Sequence, residues 1–159
     1  MKFLPNSKQT AAEPLLVFQI SPREEALLLA TLRLFPMLEN AYHRVSKDPK
    51  TAAPAVQRLL EDSMSQLRAA HSRKLDELFR APQRYFKDAP GERRLVLTAP
   101  QLEWLLQVLN DIRVGSWVRL GCPELEQARS VELTRLNARA LHVMAICGEF
   151  QMALLDAVK

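Results

Sequence analysis

The stretch "LTAPQLEWLLQVLNDIRVGSWVRLG", residues 97–121, places a guanidinium where an amphipathic helix would place a leucine. Successive helical residues stand about 100° apart on a wheel. On that wheel Leu102, Leu105, Leu106, Leu109, Ile112, Trp117 and Leu120 share one broad face, with Arg113 in its middle. An unpaired guanidinium taken out of water is very costly, so Arg113 is expected to have carboxylate partners or to reach solvent. Glu24 and Glu25, early in the first helix, are candidates, as is Glu149 beside Gly148 in the most apolar part of the last helix. Asn137 and Gln151 could complete the hydrogen bonds, and Asn110 and Asp111 are immediate neighbours. Two chemistries fit these residue types. One is a buried polar network of Arg113, Asp111, Asn110, Glu24 and Glu149 that fixes how helices register. The other is a pocket for a small anion or a partner's carboxylate, which a planar, bidentate guanidinium suits. The network is the favoured reading.

Catalytic signatures are absent. The sequence holds no glycine-rich phosphate loop, no nucleophile elbow and no His-Glu-x-x-His pair. His71 falls within an apolar seam and reads as a core histidine, while His43 and His142 lie toward polar faces. No local trio of nucleophile, base and orienting group exists. Cys122 and Cys147 are far apart and lack zinc-site spacing, so free thiols in a cytosolic protein are expected. The expectation is a protein that is not an enzyme, with no catalytic residue, no cofactor and no metal site.

The elements that must position these side chains are mostly helical. The chain has 159 residues, 48% hydrophobic and 25% charged, with only 4 glycines and 2 tyrosines, which favours helix over sheet. That length suits one domain, 1–159, with residues 1–13 an irregular N-terminal segment. The apolar run in "MKFLPNSKQ" is too short for a secretory signal, and His142, Glu149 and Asp156 interrupt the most apolar window. A cytoplasmic protein with no membrane span is expected.

One punctuation pattern occurs twice. "PLLVFQI" is a strand candidate followed by Ser21, Pro22 and Glu24, a hydroxyl cap, a helix-start proline and a capping-box partner. "RRLVLT" is a second strand candidate that ends on Thr98, a hydroxyl cap, with Pro100 in the first helical turn and Gln101 the reciprocal partner. A second helix follows each, from about 54 to 80 and from about 129 to 157. In the former, Val56, Leu60, Met64, Leu67, His71, Leu75 and Leu78 form a narrow packing seam. The spacing predicts a mainly α protein, a bundle of four or more helices with a small two-stranded antiparallel sheet, in β-α-α-β-α-α order. The strands fall near 15–20 and 94–98, and the repeated grammar hints at a pseudo-two-fold. Pro36 should kink or divide the first helix, and Gly121 should end the third.

"ISPREEALLLATL", the 97–121 stretch and "HVMAICGEFQMALL" together resemble an uncharacterised bacterial family, domain of unknown function two-thousand-and-seventeen. The matching positions are Pro22 and Glu24, then Leu97, Thr98, Trp104, Asn110, Asp111 and Arg113, then Glu149 and Phe150. Ile112 stands where the family has leucine, and the middle loop is short. The resemblance implies no activity. In actinobacteria such genes often neighbour the adaptor that feeds N-degron substrates to the Clp protease, and some are labelled transcriptional regulators.

Two functions compete. The first is a non-catalytic helical interaction or regulatory module, with a second copy of itself (a homodimer) or another protein as partner. Trp104, Val108, Val114 and Val118 lie outside the Arg113 stripe and need cover from other helices or a second subunit. The alternative is a nucleic-acid-binding transcriptional regulator using Arg129, Arg135 and Arg139 with Arg93 and Arg94 against phosphates. Glu124, Glu126 and Glu132 dilute that basic face, and the net charge is only +4, so nucleic acid is the less expected partner.

Overall fold

A computed structural model describes residues 1–5, 15–38, 54–89, 92–122, 134 and 137–158. In chain order its elements are β1 (Lys2–Leu4), β2 (Leu15–Ile20), α1 (Pro22–Leu32), α2 (Pro54–Arg80), β3 (Phe86–Ala89), β4 (Glu92–Thr98), α3 (Ala99–Arg119) and α4 (Ala138–Leu155). A single 3-10 turn, Pro82–Arg84, joins α2 to β3.

The two expected strands do pair antiparallel, from Leu15↔Thr98 to Ile20↔Arg93. They are not a two-stranded sheet. They are the inner pair of a four-stranded antiparallel sheet in the order β1-β2-β4-β3, so the chain runs β-β-α-α-β-β-α-α. The physical reason lies in the edges. An isolated strand pair is marginal in water and leaves two rows of unpaired backbone groups, which β1 and β3 here cover. Residues 2–4, expected to be irregular, form β1, and Phe86–Ala89, a segment for which no strand is expected, forms β3.

One row of side chains shows why these short edges hold. The register places Phe3 opposite Phe18, Phe18 opposite Leu95, and Leu95 opposite Phe86. All four point to the helix-covered face, where Phe18, Leu95 and Phe86 are almost wholly buried and the Phe3 and Phe18 rings lie 5.4 Å apart. Cross-strand apolar pairs of this kind contribute roughly 0.2–1 kcal/mol each. The row is symmetric, since Phe3 and Phe86 occupy matching edges. Among the described residues each half of the chain is thus a β-β-α-α unit, and the strand order is two-fold about the β2–β4 ladder. The helices are not, since α3 packs along α4 and α1 makes no comparable contact with α2.

The helix starts follow the sequence closely. Ser21 Oγ accepts from Glu24 N and the Glu24 carboxylate accepts from Ser21 N, while Thr98 and Gln101 make the same reciprocal pair. α1 ends at Leu32, four residues before Pro36, consistent with the restriction a proline puts on the residue before it. α3 ends on Gly121 at φ +82°, with Cys122 N bonded to Trp117 O and Gly121 N to Val118 O. This left-handed closure satisfies carbonyls that would otherwise be orphaned.

α3 and α4 pack along their lengths. α3 buries Leu102, Trp104, Leu105, Val108, Leu109 and Ile112, and α4 buries Val143, Cys147, Phe150 and Leu154. α2 behaves differently: His71, Leu75 and Leu78 are buried, but Val56, Leu59 and Leu67 are exposed. The expected seam is therefore covered only at its C-terminal end. No helix among the described residues is long and apolar enough to cross a membrane.

Candidate functional site

The five residues expected to form one polar network do not form one. Arg113 is exposed, and its Nη1 donates to Gln151 Oε1 at 3.2 Å across the α3–α4 contact. The buried face of α3 runs through Trp104, Val108, Ile112 and Ser116, about a quarter turn from where the leucine count places it. Arg113 lies at its margin, so no carboxylate is required. Asn110 is exposed as well. Asn137, the other expected hydrogen-bonding partner, instead exchanges bonds with Thr134 at the start of α4.

Asp111 is the charged residue of α3 that the fold encloses. Its Oδ1 accepts from Met37 N at 2.8 Å and Leu38 N at 3.4 Å, and Arg68 Nη2 of α2 lies 3.9 Å from Oδ2. Beside it a Cβ on Gly115 would collide with Met37 Cβ and stand 3.0 Å from the Met37 carbonyl carbon. Ser116 Oγ sits 3.7 Å from Met37 Sδ and bonds Ile112 O. Asp111, Gly115 and Ser116 together hold the segment that leaves α1. His71 completes this side, its ring 5.9 Å from that of Phe35. Burial lowers the His71 pKa and Lys74 adds to this, while a hydrogen bond with Gln107 and the Asp111 charge oppose it. A lone glycine inside a helical pattern is the sequence signal that points to this contact.

Glu24 and Glu149 do come together, without Arg113. Both line a cleft of about 340 Å³ between α1 and α4, near the lower end of the roughly 300–1,000 Å³ typical of binding sites. Ile146, Glu149, Phe150, Ala153 and Asp156 recur at three- and four-residue spacing and so present one face of α4 to it; Leu27 follows Glu24 by one turn on α1. Leu27 is 40% exposed and Met152, also lining the cleft, is 64% exposed. Partial burial would raise the Glu24 pKa, but bonds from the Met1 amine and from the Ser21 backbone and hydroxyl bring it down to about 2, so Glu24 is ionised. Glu149 is exposed at the cleft wall.

The remaining candidates are accounted for individually. Arg93 makes two bonds to Glu25, at 2.7 and 3.1 Å, and a third to Asp88 at 2.6 Å; Arg94 pairs with Glu92. Arg139 is exposed, while Arg129, Arg135 and His43 lie outside the described residues. Burial pushes the Cys147 thiol up to about 11, with Arg113 nearby opposing the shift, and Cys122 is exposed. Trp104 and Val108, expected to need cover from other helices or a second subunit, are buried within the chain itself.

Compared with family models, curated proteins and solved structures, the chain matches none of them.

Proposed function

We propose that this chain is a non-catalytic interaction or regulatory module of the bacterial cytoplasm that holds a protein partner in the α1–α4 cleft. The carrying observation is the cleft itself: two leucine-sized apolar side chains, Leu27 and Met152, stand exposed around an apolar floor. Exposed apolar surface rimmed by polar groups is the common mark of a partner site. Membership of the bacterial family of unknown function rests on the residue resemblance, which includes Glu149 and Phe150 of this cleft. The nucleic-acid reading loses support from Arg93 and Arg94, whose guanidiniums are already engaged by carboxylates.

The test is a photo-crosslinking amino acid at position 152, in the chain expressed in its native cell. A discrete crosslinked protein, lost when Leu27→Asp is added, supports the reading. A product of twice the chain's mass identifies the partner as a second copy. A crosslinker at exposed Gln66 of α2 serves as the control position. No product from position 152, or equal products from both positions, overturns it.

A further inference from the structure

The charge around the α1–α4 cleft specifies its partner further, on the proposed reading that a protein is held there. Glu24, Glu149 and Asp156 line it, and so does the Met1 ammonium, which is bonded to Glu24. Among the described residues no lysine or arginine lines it, in a chain whose net charge is +4. The acidic groups flank an apolar floor that includes Phe150, 5% exposed, and Ile146. We propose that the cleft takes a partner segment presenting a lysine or arginine between large apolar side chains, on one face of an amphipathic helix. Such a segment seats its apolar side chains on Leu27 and Met152 and brings its cation to Glu149, at the cleft wall. An acidic segment meets the carboxylates of Glu149 and Asp156 at the cleft wall, where like charges repel it. Complementary charge at the rim also sets partner choice more than it sets raw affinity.

The test uses labelled peptides of stated composition in fluorescence anisotropy. One carries leucines at helical three- and four-residue spacing with lysines between them; the other replaces every lysine by glutamate. The lysine peptide is expected to bind saturably and at least about tenfold more tightly than the glutamate peptide, equivalent to about 1.4 kcal/mol. Glu149→Lys is expected to weaken the lysine peptide several-fold and strengthen the glutamate peptide. Met152→Asp is expected to weaken the glutamate peptide further. Both positions are solvent-facing, and unchanged circular dichroism confirms that each variant folds. Equal binding of the two peptides, or indifference to Glu149→Lys, overturns the proposal. If position 152 still crosslinks one protein in that case, only the basic partner is lost and the cleft remains an interface. If neither assay responds, both readings fall.

Discussion

Asp111 and Arg113 are two residues apart on α3 and about 200° apart around it, so they face opposite surroundings. The Asp111 side chain is 13% exposed and accepts two backbone N–H groups from the segment that leaves α1. Arg113 faces solvent and makes one long bond to Gln151. The difference shows which charge a helix can enclose at low cost. A carboxylate satisfied by backbone donors and a nearby guanidinium has its hydrogen bonds supplied by the fold, whereas Arg113 keeps water within reach.

Four measurements test this contrast. Asp111→Ala removes the acceptor for Met37 N and Leu38 N and should cost about 3 kcal/mol in urea denaturation, with Asp111→Asn recovering a large part. Next in size is Gly115→Ala, whose Cβ has no room beside Met37 and should cost about 1–3 kcal/mol. Gly148→Ala on α4 is its counterpart, because a Cβ there meets nothing within 4 Å; it should instead stabilise by about 0.5–1 kcal/mol. Thermal melts of the pair read the difference directly.

The third measurement is of pH. His71 has a lowered pKa in the folded chain, so below its ordinary value of 6.5 the unfolded chain binds more protons than the folded one. Stability should therefore fall as pH drops through 6.5 toward the folded-state value, and rise again on return. His71→Gln should flatten that slope; a slope unchanged by the substitution assigns it to other groups. Smallest of the four is Arg113→Ala, expected to cost less than about 1 kcal/mol, the scale of an exposed polar contact. A loss as large as that of Asp111→Ala would erase the distinction between the two sides of α3.

Local grammar was legible and long-range partnership was not. Ser21 with Glu24, and Thr98 with Gln101, could be read as caps because both members of each pair sit within one turn. β2 and β4 were legible from their β-branched and aromatic content, whereas β1 has only 3 residues and β3 buries Phe86 within a proline-bearing segment. Neither edge has enough alternation to announce itself. Arg113 was misplaced because α3 is apolar nearly all round, so counting leucines could not locate the buried face. The partners of Asp111 gave no signal, since they include backbone amides 73 and 74 positions away. Glu24 and Glu149, expected to pair with Arg113, instead line one cleft, and Arg113 bonds Gln151.

The two-fold arrangement of the sheet makes the β2–β4 ladder a seam. Among the described residues each half of the chain supplies one inner strand, one edge strand and two helices, and six residue pairs, Leu15↔Thr98 through Ile20↔Arg93, cross the line between them. A cut in the backbone between α2 and β3 would leave two fragments with the same element order. The rungs that rejoin them would be the same ones that hold the intact chain. In strand topology the sheet is an intramolecular dimer, and the linker across the 3-10 turn is the covalent tether that fixes its effective concentration.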